Sequence, residues 1–236
     1  MLSAQLEKVE KEIERPGNGA RASKAANAYS SPTWWYDLRG FCILTLSYRG
    51  TLGQQIRFFA QNLKQRHLEV AIGTGTLFEM ILRRRRRSAP LPREITGIDY
   101  SARMLEGSQC KFRKHEEIKL RQADVTCMPF PDHSFDSVNI ANALHCFSDV
   151  PGALREIRRV LAPGGTLAAN ILLHPEGGLA GRIANSINRW GMKKGILYSP
   201  LTVQEIEHQF SSAGYSIQST VKEGNCLFVT AMTKFI

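Results

Sequence analysis

The sequence predicts an α/β fold built around a mostly parallel sheet, and three observations support this prediction. Short apolar segments alternate with segments of helical periodicity from residue 67 onward. The glycine turn Ile72-Gly-Thr-Gly-Thr76 directly follows the first apolar segment, and the second apolar segment ends at Asp99. Alternation of this kind requires right-handed crossovers, which place successive strands parallel to one another.

The region before the first strand predicts helices. Residues 1–14 have a polar helical pattern that Pro16 ends, and we expect a partly ordered tail there. Residues 33–63 carry apolar side chains at helical spacing, interrupted by glycines, and predict two helices laid before the sheet. We therefore expect residues 1–63 to form an N-terminal helical extension, or cap, in front of a domain at residues 64–236.

The strands and helices of the sheet region follow in order. Asp149 and Pro151 are typical of a helix start, and Pro163-Gly-Gly165 is typical of a stop followed by a turn. The last two strands are expected to form a closing antiparallel pair. The predicted strands are 67–72, 95–99, 118–121, 137–141, 166–173, 215–221 and 225–233. The predicted helices are 76–84, 102–114, 150–161, 180–194 and 201–213.

Composition and charge limit the classes of function. At 236 residues, the chain suits one domain with a helical extension and a full sheet core. The net charge of +10 and the isoelectric point near 9.6 favour acidic partners such as nucleic acid, an anionic membrane surface or a negatively charged substrate. The alternative is a basic soluble protein without such a partner. Five cysteines without metal-ligand spacing indicate reduced thiols in a cytoplasmic protein.

The sequence shows neither a leader peptide nor a membrane span. The N-terminal residues are charged and lack the apolar segment of a signal peptide. The most apolar N-terminal stretch, residues 41–46, is far shorter than the roughly 20 residues that a spanning helix needs. We therefore expect a soluble, cytoplasmic protein.

The glycine turn and Asp99 together predict a site for a nucleotide-like ligand. In a parallel sheet, the turn after the first strand lets backbone N–H groups approach a ligand, and a carboxylate that ends the next strand can accept hydrogen bonds from ribose hydroxyls. The dinucleotide version of this turn has a third glycine where this chain has Phe78. That departure disfavours a nicotinamide dehydrogenase.

Further motifs accompany the turn in a fixed order. They are Glu69-Val-Ala-Ile-Gly-Thr-Gly75, Gly97-Ile-Asp-Tyr-Ser101 with Met104-Leu105, Ala123-Asp124, Met128-Pro-Phe-Pro-Asp-His-Ser-Phe-Asp136 and Arg159-Val-Leu-Ala-Pro-Gly-Gly-Thr166. With these motifs, residues 67–173 resemble the class I S-adenosylmethionine-dependent methyltransferases, and within them the ubiquinone/menaquinone-type small-molecule subgroup. Ala71 stands where the family usually has its first glycine.

The resemblance implies a fold, a cofactor and a reaction. The fold would be Rossmann-like and doubly wound, with a mostly parallel seven-stranded sheet whose final strand is antiparallel. Residues 64–236 would bind S-adenosyl-L-methionine, with residues 176–198 as a substrate-side insertion. The reaction would be methyl transfer to oxygen, carbon or nitrogen of a small, apolar or aromatic acceptor. Two alternatives remain open: a catalytically silent S-adenosylmethionine-binding protein on the same fold and, less favoured, an RNA methyltransferase.

The resemblance also assigns the site residues. Glu69 would hold the loop and, through water, the amino group of the cofactor, with a plain salt bridge as the alternative. Asp99 would accept both ribose hydroxyls, and Asp124 would accept the adenine amino group or merely form a turn. The expected cofactor-binding residues are Tyr36, Glu69, Ala71, Gly73, Thr74, Gly75, Asp99, Tyr100, Met104, Asp124, Val125, Ala141 and Asn142.

His145 is the best single candidate for a general base. Methyl transfer is an in-line displacement that depends mainly on orientation, so a base is needed only if the acceptor must lose a proton. A packed or helix-start histidine is an equally good interpretation of His145. The resemblance implies that the aromatic cluster containing Tyr36 roofs the pocket and excludes water, with Trp34 and Trp35 either in that roof or simply packed.

The arginine run at residues 83–87 has two interpretations. It can end a helix and extend into solvent, where cations offset the helix dipole. It can also form a patch for acidic lipid or RNA, and binding would then fall steeply with salt. Peripheral membrane contact through the basic surface therefore stays open. The absence of a recognisable RNA-binding module disfavours a nucleic-acid partner, and the sequence does not predict an oligomeric state.

Overall fold

A computed structural model describes residues 51–193 and 197–234. Within these residues the chain forms six α-helices, one short 3-10 helix at Leu144–Cys146 and seven strands. The helices are α1 (Leu52–Gln61), α2 (Thr76–Arg86), α3 (Ala102–Phe112), α4 (Val150–Val160), α5 (Gly178–Lys193) and α6 (Val203–Ser212). The strands are β1 (Arg66–Val70), β2 (Glu94–Asp99), β3 (Ile118–Gln122), β4 (Phe135–Ile140), β5 (Leu161–Leu172), β6 (Tyr215–Glu223) and β7 (Cys226–Thr233).

The seven strands form one sheet in the order β3-β2-β1-β4-β5-β7-β6. The pairs β1 with β2, β1 with β4, β2 with β3, and β4 with β5 are parallel. Strand β7 runs antiparallel to both β5 and β6. The chain order reverses between β1 and β4, and in open α/β sheets the crevice beyond the carboxyl ends of the strands at such a point binds ligands. The sequence-based fold class is confirmed.

Apolar side chains cover both faces of the sheet. One core lies under α4 and α6 and includes Leu154, Ile157 and Phe210, which are fully buried. The second core joins α1 and α2 to the other face, with Phe59 and Ile81 fully buried. A parallel sheet needs such cover on both faces, because its strands carry apolar side chains on each side. The two cores fix the strand ends that surround the crevice.

The N-terminal part of the prediction is only partly covered by the described residues. Helix α1 lies within the region 33–63, and Thr51 begins it with a capping box that includes Gln54. The helix expected before it, the tail and Tyr36 lie outside the described residues. The domain boundary at residue 63 therefore stays a prediction.

The predicted ends of the other elements differ from the structure mostly by one or two residues. The largest difference is in β5, which begins at Leu161 and continues through the Pro163-Gly-Gly165 segment that was expected to end the preceding helix in a turn. Leu161 pairs with Phe135, the register then shifts, and Thr166 pairs with Ser137. Gly164 has a φ of +71°, which glycine adopts readily, so the segment forms an irregularity within the strand. No helix in the described ranges is long and apolar enough to cross a membrane.

Candidate functional site

The loop after β1 has an unusual backbone. Ala71, Gly73 and Gly75 all have positive φ, at +55°, +60° and +75°. Ala71 is strained there, because the left-handed region costs a residue with a Cβ about 1–2 kcal/mol. Strain of this kind is often found at functional sites, where the surrounding structure maintains it. The Ile72 N–H donates to the Ile98 carbonyl at 3.0 Å, which ties the loop to β2.

Asp99 joins this loop to the end of β2. The Gly73 N–H donates to its Oδ2 at 2.8 Å, and the Ser101 N–H donates to its Oδ1 at 2.9 Å. Burial raises the pKa of Asp99, and these two N–H groups oppose that shift. The groups that the sequence assigned to the ligand, the glycine loop and the carboxylate, thus lie in direct contact at the switch point of the sheet.

The two glycines of the loop have different surroundings. A Cβ added at Gly73 would meet no atom within 4 Å, whereas a Cβ added at Gly75 would lie 2.5 Å from the Phe112 ring. The Ser108 hydroxyl donates to the Gly73 carbonyl at 2.6 Å. Thr74 is buried, with its hydroxyl 3.1 Å from that of Thr76. Gly73 therefore borders open space, while Gly75 is required by close packing against α3.

Glu69 contacts a histidine that sequence reasoning missed. Its Oε2 lies 3.2 Å from Nε2 of His67, and both side chains are buried. Nδ1 of His67 lies 2.8 Å from the Ser137 hydroxyl, which also accepts the Lys64 N–H at 3.0 Å. If Ser137 donates to Nδ1, then Nε2 carries the proton that bonds to Glu69, and both ring nitrogens of His67 have a partner. Glu69 therefore has a buried hydrogen-bonding partner within the domain, and its contact with the cofactor stays a prediction.

A sequence signal for His67 was available. Residues two apart on a strand project from the same face, so a histidine at 67 and a carboxylate at 69 are neighbours by geometry alone. Both lie in β1, which is buried from His67 to Val70. A buried carboxylate needs a partner, and the adjacent same-face position is the first place to look for one.

Three of the expected cofactor-binding residues, Tyr100, Met104 and Val125, differ in exposure. Tyr100 is 53% exposed, and its carbonyl accepts from Gln122 Nε2 at 2.9 Å. Met104 is 2% exposed and belongs to the interior. Val125 is half-buried. Of these expected cofactor-binding residues, Tyr100 thus lies at the surface and Met104 lies in the interior.

Asp124 forms the turn that was its alternative role. Its Oδ1 accepts the Thr126 N–H at 2.8 Å and the Thr126 hydroxyl at 2.7 Å. The side chain is exposed, and Oδ2 accepts no hydrogen bond from the described residues. A turn contact through one oxygen leaves the other oxygen free to meet a ligand, so the two interpretations are compatible.

Asn142 closes the other side of the crevice through a set of amides. It has a φ of +57°, and its N–H donates to Asn170 Oδ1 at 2.6 Å. Its side-chain amide exchanges hydrogen bonds with Gln55 at 3.0 and 3.3 Å. Ala141, beside it, is half-buried. Gln55 and Asn170 carried no recognisable sequence signal, and with Asn142 they fix the end of β4 against α1 and β5.

His145 is buried in the 3-10 helix that follows β4. The Leu172 N–H donates to its Nδ1 at 3.3 Å, and the Tyr198 N–H donates to its carbonyl at 3.1 Å. Burial lowers the pKa of His145 from 6.5 to about 3, and it raises the pKa of the neighbouring Cys146 thiol to about 12. The ring is therefore neutral at physiological pH, and one nitrogen is occupied by a backbone donor. Tyr198 places the segment after α5 beside this turn.

The lowered pKa predicts an acid sensitivity. Between pH 6.5 and 3, the unfolded chain binds a proton at His145 that the folded chain does not bind, so stability falls as the pH falls. At about pH 5 this amounts to a loss of about 2 kcal/mol relative to pH 8. His145→Asn keeps an acceptor for Leu172 and removes the titration. Urea unfolding at pH 8 and at about pH 5 measures this difference. We expect the loss in free energy of unfolding on acidification to be about 2 kcal/mol smaller in the variant than in the wild type. An equal loss in both proteins would contradict the argument from burial.

The part of the chain that contains the glycine loop and Asp99 is similar to known methyltransferases. A family model for a methyltransferase domain matches residues 68–169. A demethylmenaquinone methyltransferase of Thermus thermophilus is 39% identical over 104 residues, which are 44% of this chain and 45% of the relative. A demethylmenaquinone methyltransferase of Staphylococcus aureus is 46% identical over 72 residues, or 30% of each chain. The match thus spans less than half the length of these relatives.

The fold has matches among solved structures as well. An S-adenosylmethionine-dependent methyltransferase from Mesorhizobium loti has a TM-score of 0.61 and 18% identity, and the match covers 78% of this chain and 99% of that one. This similarity concerns the fold, while the family model and the two relatives concern the sequence. The comparisons agree with the family expected from the motifs: residues 68–169 match a methyltransferase domain, and this part of the chain is similar to two demethylmenaquinone methyltransferases.

Proposed function

We propose that this protein transfers the methyl group of S-adenosylmethionine to a small acceptor. The observation that carries the proposal is the contact between the Gly73 N–H and Asp99 at the switch point of the sheet. It brings a glycine loop and a carboxylate to the place where this fold binds ligands. The match of residues 68–169 to a methyltransferase domain supports the same reaction.

The residues present fit this cofactor. The two oxygens of Asp99 have about four lone-pair sites, of which Gly73 and Ser101 use two. Two sites remain, one for each ribose hydroxyl. Gly73 borders open space that a side chain would fill, and Oδ2 of Asp124 is available for an amino group. The cofactor supplies a methyl group on a positively charged sulfur, and these residues bind and orient it.

We propose an aromatic ring of the quinol class as the acceptor. The support is the two relatives described as demethylmenaquinone methyltransferases, which match the cofactor-binding part of this chain. In-line displacement then requires that the acceptor be held against the methyl group and that water be excluded. The segment containing Tyr198 lies beside the 3-10 helix at the crevice and is our candidate for one wall of that acceptor site.

His145 fits a positioning role better than that of the base. As a base it would have to release the Leu172 N–H, and its lowered pKa makes it a weak proton acceptor. As a neutral ring it links the 3-10 helix to the end of β5. The proposed transfer therefore relies on orientation of the acceptor rather than on proton removal by His145.

Ligand-dependent stability and turnover test this function. At about 100 times its Kd, S-adenosylmethionine should stabilise the protein by about 2.7 kcal/mol, a rise in melting temperature of about 5–11 °C, and S-adenosylhomocysteine should do the same. NAD should have no effect. With a reduced naphthoquinone as acceptor, mass spectrometry should detect a methylated product. Stabilisation by NAD alone would overturn the proposal, and cofactor binding without product from any acceptor would favour the silent alternative.

A further inference from the structure

Helix α5 exposes a line of large apolar side chains. Leu179, Ile183 and Trp190 are 74%, 49% and 45% exposed, and Ile187 lies half-buried beside them in the same groove. At about 100° per residue, these four side chains fall within an arc of about 80°. They form the apolar stripe. The opposite side of the helix, which includes Ala184 and Asn188, is buried against the domain.

Three cationic side chains lie along one side of the apolar stripe. Arg182, Arg189 and Lys193 fall within about 40° of one another on the helix and are all exposed. We term these three residues the basic row. The sequence has no acidic residue between positions 177 and 204, so no carboxylate of α5 neutralises the row. Apolar and cationic side chains thus share one exposed face.

We propose that this face of α5 docks on an anionic lipid bilayer. Helices that lie in a membrane interface combine an apolar face rich in Leu, Ile and Trp with Lys and Arg at its border. Trp190 suits this location, because its amphipathic ring favours the headgroup level. Each cation near an anionic surface adds about a fivefold gain in affinity, which corresponds to about 1 kcal/mol.

The charge pattern argues against a second copy of this chain as the occupant. A twofold interface uses the same surface on both subunits, so two basic rows would approach each other without compensating acids. Nucleic acid would satisfy the basic row, but its bases stack mainly on aromatic side chains, whereas Leu179 and Ile183 are aliphatic. An anionic lipid surface offers acyl chains to the apolar stripe and negatively charged headgroups to the basic row.

Docking through α5 would bring the crevice close to the lipid. Helix α5 follows the carboxyl end of β5, at the same edge of the sheet as the Gly73 and Asp99 contact. An acceptor dissolved in the bilayer would then have a short path to the site. The docking itself does not depend on the proposed methyl transfer, and it can be measured without it.

Co-sedimentation of the full-length protein with vesicles tests the docking. We expect binding to phosphatidylcholine vesicles that contain about one third phosphatidylglycerol, and much weaker binding to pure phosphatidylcholine or in high salt. Arg182→Gln with Arg189→Gln should weaken binding about thirtyfold. Leu179→Ser with Ile183→Ser should weaken it about tenfold, because less apolar surface enters the interface.

A charge-matched control separates a local surface from the overall charge. Arg84→Gln with Arg87→Gln removes two exposed arginines from the arginine run and should leave vesicle binding unchanged. Equal losses in the two arginine variants, no binding by the wild type, or binding to single-stranded RNA but not to vesicles would each overturn the proposal. The affinity of every variant for S-adenosylmethionine is measured in parallel. A protein that binds vesicles without binding the cofactor would refute the proposed function and leave the docking intact.

Discussion

Gly75→Ala is expected to lower the free energy of unfolding by about 3 kcal/mol, whereas Gly73→Ala should lower it by about 1 kcal/mol. Both glycines have positive φ, which costs alanine about 1–2 kcal/mol, partly offset by a less flexible unfolded chain. Only at Gly75 does the new Cβ also collide with the Phe112 ring, and such overpacking adds about 1–3 kcal/mol.

Thermal unfolding distinguishes the two variants. For a chain of this size, Gly75→Ala should lower the melting temperature by about 6–12 °C and Gly73→Ala by about 2–4 °C. Titration with S-adenosylmethionine should give a second contrast, because a methyl group at Gly73 enters the open space of the crevice. A stable Gly73→Ala variant with unchanged affinity would show that the ligand does not approach this residue.

Asp99→Ala should weaken S-adenosylmethionine binding by at least about a hundredfold. Two ribose hydroxyls would each lose a hydrogen bond to a charged group, at about 1.5–3 kcal/mol per bond. The variant also removes the acceptor of the Gly73 N–H, so the loop loses its direct link to the end of β2. Isothermal titration calorimetry measures the affinity, and far-UV circular dichroism should remain unchanged.

Asp136→Ala provides the matched control for Asp99. Asp136 accepts the Arg66 N–H at 3.0 Å and pairs with the Arg66 guanidinium at 2.6 Å, at the amino ends of β4 and β1. Its loss should affect stability without changing cofactor affinity, because it lies at the edge of the sheet opposite the crevice. Wild-type affinity in Asp99→Ala would remove Asp99 from the site. An equal loss of affinity in both variants would attribute the effect to general destabilisation.

The sequence predicts those parts of the site that depend on local order along the chain. The glycine turn and Asp99 end neighbouring parallel strands, so their proximity follows from strand order alone. The strands and helices follow from periodicity because burial on one or both faces sets the pattern. These features can be predicted without knowing which side chains from distant parts of the chain come into contact.

The remaining features depend on contacts between distant parts of the chain. Asn142 meets Gln55, 87 positions away, and Asn170, 28 positions away, and no local pattern indicates these partners. The continuation of β5 through Pro163-Gly-Gly165 depends on pairing with β4, which overrides the usual meaning of those residues. The pairing of Glu69 with His67 was accessible from strand geometry.

The arginine run and the crevice lie at opposite edges of the sheet. Arg86 lies 3.9 Å from Glu117, just before β3 begins, whereas Asp99 ends β2. Strands of this length span about 17–20 Å, and at physiological ionic strength electrostatic fields decay over about 8 Å. The electrostatic field of the arginine run is therefore largely screened at the crevice. Substitutions in the arginine run can therefore change the surface charge at that edge of the sheet with little effect on ligand binding in the crevice.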